Sequence, residues 1–221
     1  MKEESSNKKI ITMAMLAALA YLFMVVGRIV IIPAVGFLKY DPKDIIITIG
    51  GFIYGPLAAF TISAVVSFVE LFTVSSTGFI GLVMNIISTC AFACPAAFIY
   101  KKRHTMKGAM LGLGIGCVSM VGIMLLWNYL ITPIYMGYPR EAIAKLLIPG
   151  FLPFNLIKGG LNAGATLLIY KPVVTGLRKS NLVAPSTHTD AAKDSRFGYV
   201  FVSSLILATC VLSILAFKQV I

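Results

Sequence analysis

Charged residues are scarce in this chain, and acidic residues are the scarcest. Only 12% of its 221 residues are charged and only 8 are Asp or Glu, whereas 58% are hydrophobic and the mean hydropathy is +0.92. A soluble domain typically carries about 25% charged residues. The composition therefore excludes a soluble domain and predicts an all-α protein that crosses the membrane several times.

Motifs of chemical catalysis are also lacking. The sequence contains no Walker A loop, no nucleophile placed beside a base, and no haem or flavin fingerprint. His104 and His188 stand alone in predicted loops, and the four cysteines lie inside apolar runs, where a disulfide or a zinc site is not natural. We expect no enzymatic activity, no metal and no cofactor.

The 19 Lys and Arg residues cluster in short stretches between apolar runs. This distribution is typical of cytoplasmic loops and argues against nucleic-acid binding. Assigning the clusters at 1–9, 101–107 and 171–196 to the cytoplasm places the N-terminus inside.

The apolar runs divide the chain into four regions. We predict a short polar cytoplasmic arm at 1–9, a six-helix membrane domain at 10–177, a polar cytoplasmic linker at 178–196 and an additional membrane helix at 197–221. The six predicted spans cover about 10–32, 45–54, 57–74, 79–100, 108–135 and 153–170. The last run, 197–217, is long enough to span, but a polar stretch separates it from the rest, so we interpret it as an appendage to the binding core.

Lys158 is the least expected residue. It lies in an apolar segment that follows Pro153 and is closed by Lys171-Pro172, so the pattern predicts a helix that begins near Pro153. Lys158 would then lie in its second turn, where the helix dipole disfavours a cation. A lysine at the centre of a span costs on the order of 3 kcal/mol, so it indicates a functional site, with snorkelling to the headgroups as the alternative.

Polar residues from four stretches fall on one side, the extracellular side, in this topology. They come from the loop at 33–44, the turn at 75–78, the end of span five and the start of span six. The loop carries apolar and aromatic residues among turn formers, so we expect it to act as a lid over a pocket. Asn85 has two possible roles, a hydrogen bond to the ligand or a hydrogen bond to a neighbouring helix. Glu70 has three: it could face the pocket, pair with a lysine, or be solvated at the membrane interface.

Ala14 and Ala18 lie one turn apart in span one. Small residues at this spacing allow another membrane helix to approach closely, which makes them a candidate docking face. The alternative is that alanine is simply a good helix former.

Three motifs together resemble the riboflavin-specific S component of energy-coupling factor (ECF) vitamin transporters. They are Ala14-x-x-x-Ala18, the stretch Phe37-Leu38-Lys39-Tyr40-Asp41-Pro42-Lys43-Asp44 leading into Ile49-Gly50-Gly51-Phe52-x-x-Gly55-Pro56, and Pro153-Phe154-Asn155-x-x-Lys158-Gly159. The resemblance covers about residues 10–178. It implies a six-helix S-component bundle that captures riboflavin with high affinity and works with a transmembrane coupling subunit and two ATP-binding subunits.

The resemblance also implies roles for individual residues. Asn155 and Lys158 match a pair that hydrogen-bonds the flavin, and Ala14 and Ala18 match a motif that contacts the coupling subunit. The other expected ligand contacts are Asn85, Asn128, Leu38, Lys39 and Tyr40. The typical family member ends after six helices, so 197–217 departs from the pattern.

Three alternatives remain from the sequence. The ligand could be another vitamin or a flavin nucleotide, and the chain could instead be a membrane assembly or scaffold protein without a small ligand.

Overall fold

The structure is a computed structural model that describes residues 2–183 and 196–219, with side chains described for 6–183 and 198–219. In these ranges the regular structure is helical, apart from one antiparallel bridge between Ile29 and Tyr40. The helices are α1 (Lys2–Gly27), α2 (Lys43–Tyr54), α3 (Pro56–Thr73), α4 (Gly78–Arg103), α5 (Met106–Leu130), α6 (Thr132–Met136), α7 (Arg140–Leu146), α8 (Leu152–Lys179) and α9 (Arg196–Phe217). A 3-10 turn (Pro33–Val35) and a π turn (Leu147–Phe151) complete the list.

Six stretches of the described chain are long and apolar enough to cross a membrane. They are α1, α3, α4, α5, α9 and the continuous helix formed by α7, the π turn and α8. The predicted all-α membrane fold is therefore confirmed, and α9 lies where the additional C-terminal helix is predicted. Helix α2 has only 12 residues, ten of them buried, so the predicted second span is an internal helix rather than a full crossing.

Close packing of α4 and α5 depends on two glycines. A Cβ on Gly112 would lie 2.8 Å from the Ala96 carbonyl oxygen, and one on Gly116 would collide with the carbonyl of Phe92. Gly114 faces open space. Membrane helices associate through such small residues because lipid removes the hydrophobic drive for association. The glycine-rich half of span five is thus a packing surface on one face only.

Helix α1 begins at Lys2, so most of the predicted N-terminal arm at 1–9 belongs to this helix. Leu16 and Ala20 face the core, whereas Ala14 and Ala18 are exposed. The same exposed stripe continues along the helix through Ile11, Met15, Leu22 and Val26. Ala14 and Ala18 are therefore available to a partner helix.

Two expectations for the sixth span are wrong. Helix α8 begins at Leu152 with Pro153 in its first turn, as predicted, but this start is not a free helix N-terminus, because helical backbone runs without interruption over Arg140–Lys179. In the π turn, the N–H of Leu152 bonds to the carbonyl of Leu147, five residues back. Such a turn accommodates a following proline that an ideal α-helix would reject. Lys158 therefore lies far from a free helix N-terminus, and the dipole argument does not apply to it.

The second error concerns the end of that helix. Pro172 lies inside α8, which continues to Lys179 and buries Val174 and Leu177 in its last turns. A proline removes one hydrogen bond and bends a helix, and these buried contacts hold the helix together past it. Residues 184–195 of the predicted linker lie outside the described residues.

Helix α9 packs along α8. A Cβ on Gly160 would lie 2.6 Å from Cys210 Sγ, and one on Gly164 would lie 2.9 Å from Leu207 Cγ, so the two glycines form a small-residue seam. Cys210 is buried in the same apolar cluster as Leu38 and Tyr40. Helix α9 therefore packs behind the loop at 28–42, and its interpretation as an appendage to the binding core stays a prediction.

Candidate ligand-binding site

The loop at 28–42 covers one end of the bundle. Its two ends are joined by backbone hydrogen bonds between Ile29 and Tyr40, of 3.0 and 2.8 Å. Between them the loop buries its apolar side chains in one cluster with residues of α7, α8 and α9; the loop members are Ile31, Ile32, Val35, Leu38 and Tyr40. Gly150 permits this contact, because a Cβ there would lie 2.7 Å from Val35 Cγ1. The predicted lid is thus a packed cover.

A cavity lies beneath this loop. It is lined by Arg28, Phe37, Leu38, Lys39, Asp41, Glu70, Ser76, Thr77, Met84, Asn85, Ser88, Met124, Phe154, Asn155 and Lys158, and its volume is about 50 Å³. A wider depression of about 630 Å³ opens outside it, lined by Phe37, Lys39, Ser76, Thr77, Ile80, Tyr135 and Met136. The four stretches predicted to converge do so at this end of the bundle.

Asp44 holds Lys158. The Asp44 carboxylate is completely buried, and its Oδ2 lies 3.5 Å from Lys158 Nζ and accepts a hydrogen bond from Asn162 Nδ2 at 3.2 Å. Its Oδ1 accepts from the Thr89 hydroxyl at 2.6 Å. Lys158 itself is 5% exposed, so its charge is compensated inside the protein rather than by snorkelling to lipid headgroups.

Glu70 forms the second branch of this buried network. Its Oε2 accepts from Lys43 Nζ at 2.6 Å and from Asn85 Nδ2 at 2.9 Å. Arg28 approaches Glu70 Oε1 at 3.7 Å and donates to the Val74 carbonyl at 3.2 Å. Glu70 therefore has two of the three roles considered for it: it pairs with a lysine and it lines the cavity.

Six ionisable groups thus form a buried ion-pair network beside the cavity, and the charges of this network balance; Lys39, on the cavity wall, adds a positive charge outside it. The cations are Arg28, Lys43 and Lys158, and the anions are Asp41, Asp44 and Glu70. Burial alone would raise the pKa of the Asp41 carboxyl, but the charges of Lys43, Lys158 and Arg28 outweigh it and hold that pKa below its usual value. Charge balance makes such a dense cluster tolerable in an apolar bundle.

Five of the seven predicted ligand contacts line the cavity: Leu38, Lys39, Asn85, Asn155 and Lys158. Asn155 is buried and donates from Nδ2 to the Phe151 carbonyl at 2.8 Å, which leaves Oδ1 as an acceptor for another group. Lys158, one turn further along α8, is a donor. The wall formed by α8 therefore presents an acceptor and a charged donor on one face.

The structure does not place Asn128 or Tyr40 on the wall of this cavity. Asn128 is fully buried in α5, where it donates to the Met124 carbonyl at 2.7 Å and accepts from Thr132 at 3.0 Å. The Tyr40 hydroxyl reaches Asn162 Oδ1 at 3.1 Å. Both side chains thus bond to groups of the protein, Asn128 to its own helix and to Thr132, and Tyr40 to α8.

The residues that sequence reasoning missed are mainly Asp44, Asn162 and Thr89. Asp44 was grouped with the loop because it follows a run of turn formers, but it lies in the first turn of α2. The distribution of acids in the sequence could have pointed to it, because five of the eight acids lie in the N-terminal arm, the 136–147 connection or the 178–196 linker. Only Asp41, Asp44 and Glu70 remained as counter-ions for a buried lysine.

A polar cavity with a buried ion-pair network, at one end of a bundle of membrane-length helices, is typical of a multi-pass membrane protein that binds a small solute. The family model described as ECF transporter, substrate-specific component, matches residues 8–170. The chain belongs to this family; it is a transporter component and not an enzyme. The match ends at residue 170, before α9.

Similar proteins agree with this assignment. The riboflavin transporter FmnP of Bacillus subtilis (strain 168) is 32% identical over 69% of this chain and 84% of its own length. The riboflavin transporter RibU of Staphylococcus aureus (strain TCH60) is 27% identical over 78% of this chain and 94% of its own. A solved S component of a bacterial ECF transporter superposes with a TM-score of 0.67 and 25% identity, covering 78% of this chain and 99% of that one.

Proposed function

We propose that this protein binds riboflavin with high affinity and is the substrate-capture subunit of an ATP-driven ECF transporter in a bacterial plasma membrane. The relatives named as riboflavin transporters support this ligand. The pattern of hydrogen-bonding groups in the cavity supports it independently.

The arrangement of Asn155 and Lys158 is the observation that carries the proposal. The pyrimidinedione edge of an isoalloxazine ring alternates carbonyl acceptors with an N–H donor. Asn155 Oδ1 complements the N–H, and the Lys158 ammonium complements a carbonyl. Apolar groups beside them, Leu38, Met84, Met124 and Phe154, suit the faces of the ring.

Ligand entry requires the loop at 28–42 to move. The inner cavity of about 50 Å³ is far below the roughly 300 Å³ at which small-molecule pockets begin, whereas the outer depression reaches about 630 Å³. Phe37 and Lys39 line both spaces. In our proposal, outward movement of the loop joins the two spaces on the extracellular side, and its return excludes water from the bound flavin.

Delivery to the cytoplasm would need partners. We propose that Ala14 and Ala18, exposed on α1, contact a transmembrane coupling subunit, and that two ATP-binding subunits provide the energy. In this arrangement the N-terminus is cytoplasmic and the bundle is surrounded by lipid.

The test is the absorbance spectrum and a ligand titration of the protein purified in detergent. We expect either a co-purified flavin band or saturable quenching of riboflavin fluorescence, with thermal stabilisation by riboflavin and none by biotin or thiamine. Stabilisation by another vitamin alone would reassign the ligand. No stabilisation by any member of the panel would favour a membrane scaffold.

A flavin nucleotide is the second candidate, and two residues favour it. Arg28 and Lys39 add positive charge to the cavity wall, and the Arg28 Nε has no hydrogen-bond partner. A phosphate would suit such a group. Competition between riboflavin and flavin mononucleotide in the same titration distinguishes the two ligands.

A further inference from the structure

We propose that Asp44 is the positioning residue for the ligand-binding lysine, and that it links Lys158 to the covering loop through Asn162 and Tyr40. This inference rests on the proposed function, since it names a residue that acts on the flavin through Lys158. The position of Asp44 in a turn-rich stretch of sequence does not by itself suggest this role.

Asp44 is fixed from several sides. It stands in the first turn of α2, it is completely buried, and Thr89 of α4 donates to its Oδ1 at 2.6 Å. A buried carboxylate held by short hydrogen bonds keeps its position. It can therefore act as a rigid reference point for a flexible side chain on a different helix.

Lys158 is the flexible side chain that it holds. A lysine has a flexible four-carbon stem, and an unrestrained ammonium on the cavity wall would adopt many orientations. The contact between Lys158 Nζ and Asp44 Oδ2 is 3.5 Å, an ion pair at long range. Because the ammonium has three donors, this contact leaves others for a ligand carbonyl.

Asn162 extends the link to the loop. If its amide were reversed, two acceptors, Asn162 Oδ1 and Asp44 Oδ2, would face each other at 3.2 Å, so the carboxylate requires that Nδ2 point toward it. Oδ1 then points to Tyr40, whose hydroxyl donates at 3.1 Å. Tyr40 belongs to the loop at 28–42, so the position of that cover and the position of Lys158 depend on one carboxylate.

The other acids do not fill this role. Glu70 is occupied by Lys43 at 2.6 Å and by Asn85 at 2.9 Å, and Asp41 lies 3.7 Å from Lys43. The adjacent residues Lys43 and Asp44 thus divide the network into two branches. One branch orients Asn85, and the other orients Lys158.

The experiment is a double-mutant cycle on the full chain in detergent, read out by riboflavin fluorescence quenching. We expect Asp44→Asn and Lys158→Met each to weaken binding about 5- to 150-fold, which is about 1–3 kcal/mol of a charge-assisted hydrogen bond. The double variant should bind no more than about twofold weaker than Lys158→Met alone, because Asp44 acts only through the lysine. Thr48→Val, which removes a hydroxyl bonded to the Asp44 carbonyl, is the buried control and should bind as the wild type does.

A structural role would give a different cycle. If Asp44→Asn and Lys158→Met weakened binding by independent factors that multiply, or if Asp44→Asn bound normally, the inference would be wrong. A wild-type chain that binds no riboflavin would instead refute the proposed function, so the two failures are distinguishable.

Tyr40→Phe keeps the inference testable if Asp44→Asn does not fold. It removes one hydroxyl and no charge, and we expect a loss of affinity of about 2- to 10-fold from one neutral hydrogen bond. The loss should disappear in the Lys158→Met background. A loss of equal size in both backgrounds would show that Tyr40 acts independently of the lysine.

Discussion

Replacing Lys43 by Met should destabilise the protein more than any change to an exposed lysine. The Lys43 side chain is 0% exposed, and its Nζ lies 2.6 Å from Glu70 Oε2 and 3.7 Å from Asp41 Oδ2. Two unit charges at the shorter distance attract by about 6 kcal/mol at an effective dielectric constant of about 20. Removing one partner strands buried carboxylates, and the measured cost of breaking a buried pair is about 3–5 kcal/mol.

The assay is thermal unfolding in detergent followed by fluorescence of the single tryptophan, Trp127, which packs against the core cluster of α4 and α5. A chain of about this size loses roughly 2–4 °C of Tm per kcal/mol, so we expect Lys43→Met to lower Tm by about 6–20 °C. Lys107→Met, on an exposed position of α5, is the matched control and should change stability by less than about 0.5 kcal/mol. Equal Tm values for the two variants would refute the assignment of Lys43 to a buried ion pair.

A double variant separates charge from packing in the same assay. Lys43→Met combined with Glu70→Gln removes both charges of the 2.6 Å pair, so part of the loss should be recovered. A double variant less stable than Lys43→Met alone would mean that Glu70 is held mainly by Arg28 and Asn85.

Three further predictions concern binding, transport and packing. Lys158→Met should weaken riboflavin binding about 5- to 150-fold in a fluorescence titration, and unchanged affinity would remove Lys158 from the site. Ala18→Trp should abolish riboflavin uptake by cells while leaving riboflavin binding by the purified protein intact. Val118 is 75% exposed on α5, so Val118→Trp is the control and should affect neither uptake nor binding. Loss of binding in Ala18→Trp would show that Ala18 packs inside the bundle instead. Gly116→Ala should lower Tm because its methyl group meets the Phe92 carbonyl. Gly114 faces open space, so Gly114→Ala should raise stability by up to about 1 kcal/mol. A Gly116→Ala variant more stable than Gly114→Ala would contradict the α4–α5 contact.

Helix identity was largely predictable from the sequence because apolar runs determine membrane crossings. The predicted bounds of spans three and four differ from α3 and α4 by only a few residues. The errors lie at Pro153 and Pro172, where a local rule for helix ends was applied. Continuity of α8 depends instead on the π turn and on buried contacts beyond the proline, which are not local in sequence.

The candidate site was predictable in part, for a similar reason. Asn155 and Lys158 are recognisable because polar residues are rare in an apolar helix. Asp44 was not recognisable, because its partners Asn162 and Lys158 are 118 and 114 positions away. A single sequence shows that a buried lysine requires an anion, but only the fold shows which anion comes within reach.

The length of α2 determines how much room the site has. Its 12 residues span about 18 Å, against a hydrocarbon layer of about 30 Å. Helix α2 is therefore about 12 Å shorter than that layer, and the loop at 28–42 and the cavity lie beyond the end where it begins. The short helix thus leaves room within the bundle for the cavity and its cover, which a full-length helix would fill.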